Sequence, residues 1–238
     1  MKSKRHKPPY TLCIDIGGTG IKMMVTDALG QPITQALREL TPNPATVKAV
    51  CQVIVAMIQS LNTKFNRVAA GFPGVVQNGI IKTAPNLHSS WIGINFEKKL
   101  TRITGYPARV ANDAAVQGYG DVKGKGVELV ITLGTGVGSA LFLDGKLVPN
   151  VQLAHIPFRH KHTYEHLLGK AALEKHGIKK WNANLQKAIA LWDQTFNYDK
   201  LFLGGGYSPK IKFKLPPRVK VSKNIEGLLG GIKLWQSN

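Results

Sequence analysis

The chain has 238 residues, 43% of them hydrophobic, which is the composition of a soluble globular protein with room for two ordinary domains. No apolar run approaches the ~18 residues of a membrane span, and two cysteines are too few for a disulfide framework. Thirty-two Lys and Arg against 13 Asp and Glu leave a net charge of +19, which implies a polyanionic partner, nucleic acid being the default; yet the sequence holds no zinc-finger spacing and no RNP-type motif.

The basic stretch Met1 to Tyr10 leads into a glycine loop, not an apolar signal region, so no secretion signal is expected and the protein is expected in the cytoplasm. Cys13 and Cys51 fall in a predicted strand and a predicted helix, as reduced core residues. Leu12, Ile14 and Ile16 precede the loop, and Ile21, Met23 and Val25 follow it at alternating positions, so two strands are predicted. Between them Gly17, Gly18 and Gly20 allow a tight turn and close approach to a ligand. Thr19 adds a hydroxyl and Lys22 a cation, and successive N–H groups in such a turn make a concavity for anionic oxygens. Asp15 stands where Mg²⁺ could be held beside phosphate, directly or through water. A plain β-hairpin would account for the glycines but has no need of an acid two residues before them.

A turn at Ala28 to Pro32, a strand ending at Leu40 and a helix over Ala45 to Asn62 are predicted next. Arg67 to Phe72 reads as a strand ending in the turn Gly71-Phe72-Pro73-Gly74, and Val75 to Lys82 as a hairpin about Asn78-Gly79. The polar loop Thr83 to Trp91 offers an amide, hydroxyls and one large aromatic, a set that suits a sugar. After a helix over Phe96 to Thr104, the strand Ala108 to Ala111 runs into Asn112-Asp113-Ala114-Ala115, where small residues open a helix. Asp113 in isolation would be an N-cap. A second strand–glycine loop–strand unit spans Val127 to Leu143 around Gly134-Thr135-Gly136, which suggests one phosphate-gripping element per lobe.

Beyond Val151 the pattern is less regular. His160, His162 and His166 lie in a basic loop with no cysteine nearby and match no usual zinc spacing. A helix over Trp181 to Thr195 and a strand over Tyr198 to Leu203 lead to Gly204-Gly205-Gly206. In Pro209 to Lys223, Lys210, Lys212 and Lys214 alternate with Ile211, Phe213 and Leu215. A strand there would put the lysines on one face about 6.7 Å apart. Such a row could follow an extended phosphate chain, together with Arg218, Lys220 and Lys223, or could guard an edge strand against mispairing. Leu228 to Ile232 is expected to pack as a C-terminal helix.

The motifs DxGGTxxK at Asp15 to Lys22, GFPG at Gly71 to Gly74, Pro85-Asn86, Asn112-Asp113-Ala114, LGTGVGSAL at Leu133 to Leu141 and Gly204 to Gly206 occur in order. Together they resemble the sugar kinases of the ROK family (repressor, open reading frame, kinase). The short length, the TLGTGVGSALFLDGKLVPN run and the LLGGI ending are most similar to the polyphosphate glucokinases among them. The resemblance implies an α/β, two-lobed actin/hexokinase-like (ribonuclease H-like) fold with an interlobe cleft. Its lobes would span 11–111 and 112–238, the C-terminal helix packing back on the first.

The resemblance also implies the chemistry. Phosphate would pass from inorganic polyphosphate, and also ATP, to the 6-hydroxyl of glucose, with Mg²⁺, in a cytoplasmic homodimer that binds neither nucleic acid nor membrane. Asp113 matches the catalytic base, and Gly71, Asn86, Asn112, Gln152, His155 and Glu165 fall on sugar positions. Gly17, Gly18, Thr19, Gly134, Thr135 and Gly136 match the phosphate loops, and Asp15, Lys22 and Gly205 beside them are expected to bind phosphate as well. The family's cysteine-rich zinc cluster is missing, so no zinc is expected. The family's E-L-G-H reads Gln152-Leu153-Ala154-His155, an amide in place of a carboxylate that accepts from a sugar hydroxyl. The alternatives are an ATP-dependent kinase of another hexose or amino sugar, and a catalytically weak binder of sugar or polyphosphate. Regulators of the family carry an N-terminal helix-turn-helix, for which the residues before Leu12 leave no room.

Overall fold

The computed structural model describes residues 7–222 and 228–236. In chain order the first part comprises β1 (Thr11–Ile16), β2 (Gly20–Thr26), β3 (Leu37–Leu40), α1 (Val47–Leu61), β4 (Arg67–Phe72), β5 (Val76–Gln77), β6 (Ile80–Ile81), α2 (Phe96–Thr104), β7 (Ala108–Asn112) and α3 (Asp113–Asp121). There follow β8 (Val127–Leu133), β9 (Val137–Leu143), β10 (Lys146–Val148), β11 (Pro157–Arg159), β12 (His162–Thr163), α4 (Tyr164–Leu168), α5 (Lys170–Phe196), β13 (Lys200–Gly204) and β14 (Val219–Val221). Short 3₁₀ turns lie at Ser89–Trp91, Ser208–Lys210 and Leu229–Trp235. No helix among the described residues is long and apolar enough to cross a membrane.

Two compact units result, Met1–Gly120 with Glu226–Asn238, and Asp121–Ile225. The division expected after Ala111 thus falls after Gly120, because α3 stays with the first unit. Each unit is built on a five-stranded sheet, ordered β3-β2-β1-β4-β7 in the first and β10-β9-β8-β13-β14 in the second. In both, three antiparallel strands are followed by two parallel ones. The duplication suggested by the two glycine loops therefore extends to the whole of each sheet.

The alternation of β1 and β2 buries Leu12, Ile14, Ile16, Ile21, Met23 and Val25 against α1, whose Val50, Ile54 and Met57 are buried. Trp91, expected to face a sugar, is instead fully buried. It packs on Phe72 and Phe96 at 5.0 and 4.9 Å between ring centres, and its indole N–H donates to the Ala45 carbonyl at 2.9 Å. A large aromatic satisfied in this way belongs to the core. In the second unit Leu129, Ile131 and Leu133 pack with Trp181, Leu185 and Trp192 of α5. That helix starts eleven residues earlier than its apolar pattern indicates, at Lys170, and is broken at Gly177, whose φ of +75° no helical residue adopts.

The C-terminal segment forms a 3₁₀ turn where a helix was expected, and it lies against β1, β4 and β7. Two glycines permit this approach: a methyl on Gly230 would overlap the Val116 carbonyl oxygen, and one on Gly231 would lie 2.8 Å from the Cys13 sulfur. The Trp235 ring sits under the guanidinium groups of Arg67 and Arg109, at 5.3 and 4.8 Å, and Arg109 also donates to the Leu234 carbonyl.

Candidate active site

In the first unit, β1, β4 and β7 run parallel, and their carboxyl ends carry the polar residues, the usual location of a ligand site in an open α/β sheet. Asp15 of β1 is in register with Gly71 of β4, and Gly71 with Ala111 of β7. Asp113 opens α3 two residues later. A methyl on Gly71 would lie 3.2 Å from the Asp113 Cα and 3.5 Å from Asp15 Oδ1, so the absent side chain is what lets the two acids approach.

Burial, and then the negative charge of Asp15, push the Asp113 carboxyl from its usual 3.8 up to about 7; the Ala114 N–H, donating to its Oδ1 at 2.8 Å, pulls the other way. The capping role falls to Asn112. Its Oδ1 accepts from the N–H groups of Ala114 and Ala115 at 3.0 and 3.3 Å, and its Nδ2 donates to the Gly74 carbonyl at 3.1 Å. The Asn112 side chain also hydrogen-bonds the Asp113 carboxyl, which holds the acid in place and favours its charged form. A carboxyl poised near neutrality at a strand end has the properties of a general base.

The first glycine loop is closed by Gly17 N–H donating to the Gly20 carbonyl at 2.9 Å. Thr41, which sequence reasoning passed over, holds it from outside: its hydroxyl donates to the Gly17 carbonyl at 2.6 Å. Asn86 lies beside the loop, its Cβ 3.2 Å from where a methyl on Gly18 would stand. Thr19 is exposed at the tip, and Lys22 of β2 is the cross-strand neighbour of Asp15.

In the second unit the loop joining β8 to β9 is closed by Gly134 N–H donating to the Gly136 carbonyl at 3.0 Å. Glu165 ties it to the other proposed sugar residues. Its Oε2 accepts from the Val137 N–H at 3.1 Å, and its own N–H donates to the carbonyl of Ala154, between half-buried Gln152 and exposed His155. Thr135 accepts from the Lys170 N–H at 3.1 Å. Gly205, at φ +83°, packs so tightly under this loop that a methyl would overlap the Leu133 carbonyl oxygen.

The lysine row is not a strand. Ser208–Lys210 is a 3₁₀ turn, residues 211–218 form no ladder, and β14 begins only at Val219. Pro216 and Pro217 have no N–H to donate to a sheet, and the segment is held instead by a side chain of α5. The alternation persists all the same: Ile211, Phe213 and Leu215 pack on the second core while Lys210, Lys212 and Lys214 are exposed. Arg218 is engaged otherwise, paired with both Asp193 oxygens at 2.9 and 3.0 Å and donating to the Tyr198 carbonyl. Lys220 is exposed on the edge strand β14, and Lys223 lies outside the described residues.

His162 and His166 stand edge to face at 6.0 Å between ring centres, and among the described residues no three His, Cys, Asp or Glu are grouped to hold a metal. An open groove of about 720 Å³ beside Val47, Cys51, Val55, Lys99 and Ile103 includes none of these site residues.

Two sheets of one topology, each opening on a strand–glycine loop–strand unit, define an α/β protein of actin/hexokinase-like fold. Residues 11–155 match the model of the ROK family, and the chain belongs to that family. It is 30% identical over 234 residues to a polyphosphate glucokinase of Mycobacterium tuberculosis, covering 91% of this chain and 88% of that one. Among solved structures it is similar to the inorganic polyphosphate/ATP-glucomannokinase of Arthrobacter sp. strain KM, at 30% identity and a TM-score of 0.86, over 96% of this chain and 99% of that one. A ROK family glucokinase from Streptomyces griseus, solved with glucose and AMPPNP, shares the fold at 19% identity and a TM-score of 0.79, over 94% and 98%.

Proposed function

We propose that the protein is a sugar kinase that transfers a phosphoryl group from inorganic polyphosphate, and also from ATP, to the 6-hydroxyl of glucose, giving glucose 6-phosphate. The observation that carries the chemistry is the half-buried Asp113 carboxyl, raised to about 7 beside Asp15 and Gly71. The choice of donor and sugar is supported by the whole-chain similarity to a polyphosphate glucokinase and a polyphosphate/ATP-glucomannokinase.

In this mechanism Asp113 orients the 6-hydroxyl and takes its proton as phosphorus–oxygen bond formation proceeds. In the first unit Asn112 and Asn86 are the candidates to pair with further sugar hydroxyls; Gln152, His155 and Glu165 are the sugar-binding candidates of the second unit. Each glycine loop offers backbone amides to phosphate charge, so that catalysis is positioning plus electrostatic stabilisation. Asp15 fits a Mg²⁺ ion: it is a carboxylate oxygen donor at the end of β1, and its negative charge is felt at Asp113. Asp15 would hold the ion, directly or through water, and the ion would neutralise phosphate charge. Gln152 accepts more weakly than the carboxylate usual at that position, which supports either weaker glucose binding, a different sugar or reduced activity.

Turnover of glucose, mannose and N-acetylmannosamine with long polyphosphate and with ATP tests the proposal. Glucose phosphorylation from polyphosphate is expected; activity with ATP alone, or on another sugar alone, would overturn it in favour of the corresponding ROK kinase.

A further inference from the structure

Sequence alternation made Lys210, Lys212 and Lys214 a ladder on a strand, but the segment that carries them has no strand partner. Asn182 of α5 takes the partner's place. Its Nδ2 donates to the Lys210 carbonyl at 3.1 Å and to the Ile178 carbonyl at 2.9 Å, and its Oδ1 accepts from the Lys212 N–H at 2.9 Å. Donating to the residue before Ile211 and accepting from the residue after it is the pattern that a residue of a parallel strand makes. One side-chain amide therefore holds the backbone extended between two of the lysines. Asn182 is itself only 8% exposed and both its amide hydrogens are used, so it has little alternative geometry.

The upstream end of the segment is fixed to the second glycine loop. Tyr207 N–H donates to the Leu133 carbonyl at 2.9 Å, the residue immediately before Gly134. The Lys210 ammonium lies over the Tyr207 ring at 5.7 Å, and Lys210 N–H donates back to the Tyr207 carbonyl at 2.9 Å. Downstream, Ile211, Phe213 and Leu215 anchor in the second core, which leaves Lys212 and Lys214 exposed.

We infer that Asn182 is the positioning residue of a polyphosphate track that starts at the second glycine loop and runs along Lys210, Lys212 and Lys214. This rests on polyphosphate being the donor. Exposed lysines on a backbone tied down at Lys210 and Lys212 match a linear polyanion, whereas a free loop would have to be ordered at each binding event. Asn182 touches no phosphate; it acts by holding the lysines in line. Long chains would gain from the track, and chains too short to reach beyond the glycine loop would not.

The test measures binding of long-chain polyphosphate and of tripolyphosphate, by displacement of a fluorescent polyphosphate at low salt, in four proteins. These are the parent, Asn182→Ala, the triple variant Lys210→Ala/Lys212→Ala/Lys214→Ala, and the combination. Thermal unfolding is followed in parallel. Asn182→Ala is expected to weaken long-chain binding by about tenfold, the order produced by losing one or two aligned phosphate contacts, with a much smaller effect on tripolyphosphate and on the KM for glucose. In the lysine-free background the same substitution should have no further effect on long-chain binding, because its action passes through the lysines. An Asn182→Ala effect of the same size in both backgrounds, or an equal loss for both chain lengths, overturns the inference and makes Asn182 a fold residue. Long-chain binding unchanged by Asn182→Ala also overturns it and leaves the donor untouched. A parent that does not bind long polyphosphate overturns the donor and the track together.

Discussion

Asp113 is costly to the native state. Its carboxyl ionises at about 7 in the folded chain and near its ordinary 3.8 once exposed. Between those values the unfolded chain binds fewer protons than the native one, so this group lowers stability as pH rises through the window, and the loss is complete above about pH 7. Asp113→Asn should therefore melt at the same temperature as the parent near pH 3.5, and be more stable by a few kcal/mol at pH 8, as metal-free thermal scans would read. The same substitution should cost at least ~10²-fold in turnover, the low end for a general base, and abolish an acid limb of the kcat/KM profile centred near 7. Loss of activity together with gained stability separates a catalytic acid from a structural one. The junction that carries Asn112 and Asp113 was legible in the sequence because small residues after a short strand announce a strand-to-helix turn, whereas the role of Asp113 came only from the family resemblance. That Asp15 comes near Asp113 was not, since it depends on three parallel strands distant in sequence and on Gly71 having no side chain between them.

Periodicity was a reliable guide to faces and a poor guide to elements. Alternation correctly predicted which residues of 210–215 face the core, but period two belongs to any extended segment, stapled or laddered. The prolines at 216 and 217 and a buried asparagine amid the apolar face of α5 were the available signs that no ladder forms. Trp91 shows the opposite fault: a polar loop hid a core residue because the loop folds its one aromatic inward against Phe72 and Phe96. The C-terminal 3₁₀ turn depends on glycines for contact rather than for conformation. Gly230→Ala must displace the segment from α3, since its methyl overlaps the Val116 carbonyl, and the stacking of Trp235 on Arg67 and Arg109 goes with it. A loss of at least 1–3 kcal/mol, the range for overpacking, is expected in urea unfolding, whereas Gly93→Ala, with open space around its Cβ, should cost only the strain of its positive φ.

At the scale of the molecule the net charge of +19 bears on how the two donors are distinguished. A long polyanion releases many counterions on binding and a nucleotide few, so raising KCl from 50 to 300 mM, roughly a sixfold span, should raise the KM for long polyphosphate far more steeply than that for ATP. Equal salt slopes for both donors would place the excess charge outside the donor site. The two units also differ in how the chain composes them. The second is continuous, while the first is closed only by residues that follow the whole of the second. Synthesis therefore completes the second unit before the first, and a nascent chain halted at Ser222 lacks the glycine that covers Cys13. In the finished protein that thiol is pushed up to about 11 by burial and lies against Gly231. With Cys51 replaced by Ala, alkylation of Cys13 thus becomes a chemical clock for the closing of the first unit, fast on arrested chains and silent once Gly231 has seated.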